Sequence, residues 1–330
     1  MKNEPNAGSP NQGQSLPELA TGNFEAPSGR RLAATVYEYC LLLLVGLSVF
    51  SESPFSINPA DKLQPLTLLG LVIPPSVLLL PAICTILKVL TGAAIVMWIF
   101  KIGSRWIYIA APILFIAFMS TVVESQYFVR HQTHFCAMAF VLLGAAKFVG
   151  TGRSDLKGSR SEDPFVDPLP GWCFMLLIYY IGISYTFSGI SKLYYSGLSW
   201  GDGSSLMMWV EADAINRDNL VFQLLTSHHW LASTLQTTTL LAEVLAILVL
   251  FVPRLRPLFG LIFVGFHLSI ELLFGLSFFS NIFLDTYILI VCFMVPQYRI
   301  TGHRFFGELL SRGQTSLFSG AGEAEFQAIG

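Results

Sequence analysis

The sequence predicts an all-α fold, a polytopic membrane helical bundle with about eight transmembrane helices and with the N-terminus and C-terminus in the cytoplasm. Hydrophobic residues make up 53% of the 330 residues and charged residues only 12%, whereas about a quarter of the residues in a soluble domain are charged. The mean hydropathy is +0.61, and long apolar runs recur along the chain. A net charge of −2 gives no reason to expect a nucleic-acid partner, so the lipid bilayer is the partner that the composition indicates.

Eight apolar segments are long enough to cross the hydrocarbon core of a bilayer. They lie at about residues 32–50, 82–100, 105–123, 133–150, 171–191, 231–252, 257–276 and 278–296. Residues 1–29 are rich in Pro, Gly, Asn and Ser, which predicts a disordered N-terminal tail. Residues 30–300 are predicted to form the transmembrane domain, and residues 301–330 a cytoplasmic tail.

A proline-rich segment, residues 59–81, separates the first two spans. Its apolar part, about residues 66–80, is interrupted by Pro74 and Pro75. We expect this part to lie at the membrane interface or to be re-entrant, because a broken helix leaves backbone groups without partners in lipid.

The distribution of lysine and arginine predicts the orientation of the bundle. With the N-terminus in the cytoplasm, fourteen of these cations fall on the cytoplasmic side, four fall outside, and Lys88 lies within a span. The cytoplasmic set is Lys2, Arg30, Arg31, Lys101, Arg105, Lys147, Arg153, Lys157, Arg160, Arg254, Arg256, Arg299, Arg304 and Arg312, and the outer set is Lys62, Arg130, Lys192 and Arg217. This orientation places Lys192 and the loop 193–230 on the non-cytoplasmic face.

The span at 171–191 runs into a lone lysine, Lys192. Small residues recur through this span and would let a neighbouring helix pack closely. Two interpretations of Lys192 stay open. It is a lysine that snorkels to the membrane surface, or it transfers protons from a partly buried position.

The loop that follows Lys192 is too apolar for a solvated linker, with Trp200 and Trp209 suited to the bilayer interface. We expect residues 197–230 to form a lid over a site at Lys192. The alternative is an amphipathic helix that lies on the membrane with no site below it.

Ionisable groups at bilayer depth are costly, so each one is a candidate for function or for a buried structural pair. The intramembrane candidates are Glu243, His267, Glu271 and Asp285. His267 and Glu271 are four residues apart on one helix face, which predicts that they pair. His134 begins the fourth span on the same side as Lys192, and a surface histidine is the alternative interpretation there.

The histidine pattern does not predict a metal site. His131-x-x-His134, His228-His229 and His267-x-x-x-Glu271 look like fragments of the histidine boxes of membrane di-iron enzymes, but the chain has only six histidines. No cysteines show the spacing of metal ligands either. We therefore expect no metal cofactor.

Several short motifs together resemble one family. Ser188-Gly189-Ile190-Ser191-Lys192-Leu193, followed by Trp200, Asp202 and Gly203, resembles the motif of the horizontally transferred transmembrane (HTTM) domain, the membrane part of vitamin K-dependent gamma-carboxylase. Glu243 stands where the carboxylase has an aspartate, and Phe266-His267-Leu268 looks like that family's histidine helix. His134 looks like the family's histidine at the start of a span. The likeness covers about residues 30–300.

The resemblance implies a function. In the carboxylase, a reduced quinone reacts with oxygen and the resulting strong base removes a proton from glutamate. Carried over by motif, Lys192 is the base that deprotonates the quinol and His134 is its helper. A lysine with a pKa of about 10.4 is a poor base near neutral pH, but burial in an apolar pocket lowers the pKa.

The same resemblance implies the surroundings in which the protein works. It implies a vitamin K-like reduced quinone as cofactor, a lipid-soluble quinone and a protein substrate or partner as binding partners, and a place in a bacterial plasma membrane.

Two other functions stay open at this point. One is a non-catalytic membrane accessory or maturation factor, in which Lys192 and His134 would face bulk water. The other is a small-solute transporter, in which Glu243, Glu271 and Asp285 would line a path through the bilayer.

Overall fold

The computed structural model describes residues 28–52, 66–125, 131–157, 169, 171–214, 220–274 and 278–291. Within these ranges all regular secondary structure is helical. The α-helices are α1 (Ser28–Ser51), α2 (Leu68–Val72), α3 (Pro75–Leu78), α4 (Pro81–Ile99), α5 (Ile107–Ser125), α6 (His131–Lys157), α7 (Gly171–Ser196), α8 (Ser204–Ala214), α9 (Leu220–Ser227), α10 (His229–Leu245), α11 (Leu248–Phe251), α12 (Arg256–Phe274) and α13 (Phe279–Leu284). The predicted tails, 1–29 and 301–330, lie outside the described residues except for the start of α1.

Five of these helices are long and apolar enough, by length and composition, to cross a membrane. The crossing segments are Ala33–Ser51, Pro81–Ile99, Ile107–Ser125, Thr133–Thr151 and Trp172–Asp202. They correspond to the first five predicted spans, and they confirm that the protein is an integral, multi-pass membrane protein.

The last three predicted spans are helical but differ from the first five. Segment 231–252 is divided into α10 and α11 by a turn at Ala246–Ile247. Segment 257–276 corresponds to α12. Segment 278–296 begins as α13 and continues as a π-helix, Asp285–Val291. A total of eight crossings, and the cytoplasmic position of the termini, therefore stay predictions.

The proline-rich segment forms two short helices, α2 and α3, instead of a span. Thr67 caps α2, because its hydroxyl accepts a hydrogen bond from Gly70 N at 3.0 Å. The Glu124 carboxylate, at the end of α5, accepts from the amides of Leu66 and Thr67 at 2.8 and 2.7 Å. Helices of five and four residues are too short to cross a bilayer. The hydrogen bonds to Glu124 hold this segment against the end of α5 instead.

A large apolar core joins the long helices, with Tyr37, Trp98, Phe115 and Phe263 almost fully buried in it. Leu43, Leu71, Phe187 and other large apolar side chains lie exposed on the outside of the bundle. This distribution is expected where lipid replaces water as the solvent.

A buried ion pair ties α1 to α6 within this core. Lys147 Nζ lies 2.7 Å from Glu38 Oε2, and both side chains are 9% exposed. Trp98 Nε1 donates to the other carboxylate oxygen of Glu38 at 2.9 Å. The charge count had assigned Lys147 and Arg256 to cytoplasmic loops, but both are buried, and Arg256 donates to Val249 O at 3.0 Å.

Candidate functional site

The structure pairs Lys192 with Glu243. Lys192 Nζ, near the end of α7, lies 2.5 Å from Oε1 and 2.6 Å from Oε2 of Glu243 on α10. The Lys192 side chain is 25% exposed, whereas Glu243 is only 5% exposed. The carboxylate is therefore enclosed, whereas part of the lysine side chain stays accessible.

Glycines bring the backbones of α7 and α10 close enough for this contact. A Cβ atom added to Gly189 would lie 2.8 Å from Val244 N and 3.0 Å from Glu243 Cβ, which is closer than two such atoms can approach. A Cβ atom added to Gly182 would lie 3.0 and 3.1 Å from the side chains of Val249 and Leu250 on α11. Glycine at these two positions therefore lets α7 pack closely against α10 and α11.

The chain after α7 folds back over Lys192. A 3-10 helix, Gly197–Asp202, places the Trp200 ring 4.6 Å from Lys192 Nζ, a cation–π contact. Gly201 O accepts hydrogen bonds from the hydroxyls of Ser233 and Thr237 on α10, at 2.8 and 2.9 Å. Trp200 is therefore fixed above the amine, as expected for the first part of a lid.

The described remainder of the predicted lid includes α8 and α9, which pack around a small cluster of their own. Val210, Leu225 and Ala232 are buried together, while Met208 and Trp209 are exposed on α8. These exposed side chains suit the bilayer interface, so the lid and the interfacial helix both stay predictions for this segment.

A second polar cluster lies deeper, on the face of α7 that meets α12. The Tyr185 hydroxyl donates to Asp285 Oδ2 at 2.7 Å and lies 2.7 Å from His267 Nε2. Because the hydroxyl has one proton and donates it to Asp285, Nε2 of His267 must be the donor in its contact. His267 Nδ1 is buried and has no hydrogen-bond partner among the described residues.

The predicted His267–Glu271 pair is wrong. His267 bonds to Tyr185, and its Nε2 lies 3.7 Å from Asp285 Oδ2. Glu271 lines a separate cavity of about 400 Å³, together with Ser48, Glu52 and Thr133. Spacing along one helix predicted the contact, but His267 forms its hydrogen bond with a tyrosine of a neighbouring helix instead.

His134 does not lie against Lys192. Its Nδ1 is 2.7 Å from the Tyr180 hydroxyl, and its ring packs edge-on against the Tyr180 ring at 5.9 Å. Tyr180 precedes Lys192 by twelve residues on α7, about 18 Å along the helix axis. Direct assistance of Lys192 by His134 therefore has no geometric support in the described residues.

One helix, α7, carries all three polar contacts. Tyr180, Ser184, Ser188 and Lys192 follow one another at intervals of four residues and so form a stripe along it. Ser188 Oγ lies 3.5 Å from Glu243 Oε1, and Tyr185 lies beside the stripe. α7 is thus the element around which the candidate site is built.

A comparison with protein families identifies the family to which the chain belongs. The model of the HTTM domain matches residues 71–295. The chain belongs to the HTTM domain family. The resemblance to the membrane domain of gamma-carboxylase follows from this membership. No curated protein and no solved structure matches the chain.

The HTTM match includes every residue of the site, from His134 and Lys192 to Glu243, His267 and Asp285. The described part of this HTTM chain shows no group of three His, Cys, Asp or Glu side chains that could hold a metal ion.

The sequence analysis missed two tyrosines of the HTTM site, Tyr180 and Tyr185. A signal was present, because a tyrosine hydroxyl inside an apolar helix needs a hydrogen-bond partner. It also missed Glu38, which has no distinguishing motif in its helix.

Proposed function

We propose that this HTTM protein is a membrane enzyme of the carboxylase type, in which the Lys192–Glu243 pair removes the hydroxyl proton of a lipid-soluble quinol. The observation that carries the proposal is the geometry of the pair. The amine contacts both oxygens of a buried carboxylate at 2.5 and 2.6 Å and yet keeps a quarter of its side chain accessible.

The pair can supply a base without creating a net charge. Transfer of one proton from the Lys192 ammonium to the Glu243 carboxylate gives a neutral amine and a neutral acid. The amine then takes the hydroxyl proton of the substrate and becomes an ammonium again, which balances the charge of the deprotonated substrate.

The surroundings of the amine suit a flat, apolar substrate. The Trp200 ring lies 4.6 Å from Lys192 Nζ, and a quarter of the Lys192 side chain stays accessible. A quinol could therefore contact the accessible part of Lys192 beside this aromatic ring. When bound, a reduced quinone of the vitamin K type would supply the reducing equivalents for the oxygen chemistry that the resemblance implies.

His134 enters this proposal as a residue that acts at a distance. It holds Tyr180, which lies in the same stripe of α7 as Lys192. We expect loss of His134 to change the position of α7 and to reduce activity less than loss of Lys192. The bacterial plasma membrane, and a protein substrate or partner, also enter as proposals taken from the resemblance.

The transporter alternative has a weaker geometric basis. Glu243 and Asp285 are both buried and bonded to residues of α7, and Glu271 lines a cavity that neither of them lines. These three acids do not border a shared path among the described residues. The accessory-factor alternative treats the Lys192–Glu243 pair as structural, and the same experiment tests it.

The experiment is oxygen uptake by the purified full-length protein with a reduced naphthoquinone. We expect uptake above the rate of spontaneous quinol oxidation, and a loss of about 100-fold or more in Glu243→Gln, because general acid–base groups contribute at least that much. A melting profile would show that the variant is folded. Uptake equal to the protein-free rate with reduced naphthoquinones and benzoquinones would contradict the proposal.

A further inference from the structure

A cavity of about 450 Å³ lies at the turn between α4 and α5, far along the chain from Lys192. It is lined by residues 101–108 and by Thr151 of α6. The charge count places this turn on the cytoplasmic side. The cavity is within the range of small-ligand sites, and the proposed enzyme activity does not involve it.

The turn presents two cations to this cavity. Lys101 and Arg105 both line it. Lys101 has φ +54° and Gly103 has φ +99°, left-handed conformations that reverse the chain between the two helices. This turn brings both cations to one small cavity. Three residues separate them in the sequence.

Two further features favour an anion at this place. The Arg105 guanidinium lies 5.1 Å from the centroid of the Phe148 ring and 5.9 Å from that of Trp106. These contacts restrict its motion, and a planar fork of donors suits a phosphate. α5 begins at Ile107, inside the lining, so the positive end of its dipole faces the same space.

Apolar side chains border the cavity and indicate where the anion comes from. Ile102 and Trp106, which line the cavity, are 55% and 60% exposed. Large exposed apolar residues beside cations at the end of a spanning helix are typical of the bilayer interface. A ligand here would place its anionic group between Lys101 and Arg105 and its apolar part along these side chains.

We propose that this cavity binds the phosphate group of an anionic membrane lipid. Free inorganic phosphate shares the chemistry of the anionic group, but it would not use the apolar border. Anionic lipids are attracted to basic residues next to spanning helices by about 1 kcal/mol per cation, which corresponds to about a fivefold change in affinity.

The test is native mass spectrometry of the full-length protein titrated with phosphatidylglycerol in phosphatidylcholine micelles. We expect one saturable phosphatidylglycerol, bound about fivefold more weakly by Lys101→Gln and by Arg105→Gln. Arg254→Gln is the matched control, because Arg254 is an exposed cation outside the cavity, and it should bind as the wild type does. If Arg105→Gln fails to fold, Lys101→Gln alone serves as the test variant.

Three outcomes would overturn the proposal. Equal weakening by Arg254→Gln would mean diffuse attraction rather than a site. Equal retention of phosphatidylcholine and phosphatidylglycerol would mean that the negative charge is not recognised. Displacement of phosphatidylglycerol by millimolar inorganic phosphate, with phosphate protecting the protein from heat equally well, would assign the site to free phosphate instead of a lipid.

Discussion

Two lysine–glutamate pairs among the described residues differ in how they meet the solvent. Lys147 and Glu38 are both 9% exposed, and Trp98 donates to Glu38 as well. Lys192 is 25% exposed while its partner Glu243 is 5% exposed. A pair enclosed on all sides serves stability alone, whereas a pair with an accessible amine can exchange a proton with a bound molecule. Lys147 is therefore the natural control for Lys192.

At Tyr185 we predict a loss of stability on removal of one oxygen atom. Tyr185→Phe leaves Asp285 and His267 without the hydroxyl that joins them, and an unsatisfied buried polar group costs about 1–3 kcal/mol. Thermal unfolding in detergent measures the effect. Tyr195→Phe is the control, because Tyr195 lies on the same helix but is 82% exposed. Equal melting temperatures for the two variants would show that the Tyr185 cluster does not stabilise the bundle.

At the scale of elements, α7 and α10 set the geometry of the site. Their approach depends on Gly189, where any side chain would collide with the backbone of Val244. The contact carries Lys192 and Glu243 together, although they are 51 residues apart in the sequence. Separation of the two helices would therefore affect the ion pair before it affects the rest of the core.

We predict that Gly189→Ala destabilises the protein by about 1–3 kcal/mol through overpacking and lengthens the Lys192–Glu243 contact. Gly92→Ala, on α4, is the matched change, since nothing lies within 4 Å of its added Cβ. It should leave stability unchanged or slightly raised, because alanine favours helix. Melting curves of the two variants give the comparison. A Gly189→Ala protein as stable as Gly92→Ala would mean that α7 and α10 are not in close contact.

The sequence was sufficient to locate the long helices and the candidate cations but not their partners. Apolar runs of about 19 residues identify α1, α4, α5, α6 and α7 because the bilayer fixes their length. No proline marks the break at Ala246–Ile247, so the sequence did not predict it. The partner of Lys192 could not be predicted, because periodicity shows which residues share a face of one helix and not which helices are neighbours. The same limit produced the wrong His267–Glu271 pair.

At the scale of the whole molecule, the orientation in the membrane determines what each site can reach. The charge count places Lys192 on the non-cytoplasmic face and the cavity at Lys101 and Arg105 on the cytoplasmic face. Burial of Lys147 and Arg256 removes two cations from the count of fourteen and still leaves twelve against four. Quinol chemistry and lipid binding would thus occur on opposite sides of the bilayer.

Reporter tags at the two termini test this orientation. We predict that a tag at either terminus is accessible only from the cytoplasm, which requires an even number of crossings. One terminus found outside would contradict the count of eight, and both termini found outside would exchange the faces of the two sites. A cysteine introduced at exposed Ser204 and labelled from outside the cell provides an independent check near Lys192.

The central claim is that Lys192 acts as a base rather than as a fixed cation. The most direct measurement is quinol-dependent oxygen uptake by Lys192→Arg, with Lys147→Arg as the matched control. Arginine keeps the charge and the contact with Glu243 but does not give up its proton. We predict that Lys192→Arg folds normally and loses activity by about 100-fold or more, while Lys147→Arg keeps most of its activity. A fully active Lys192→Arg protein would contradict the claim and leave Lys192 as the structural partner of Glu243.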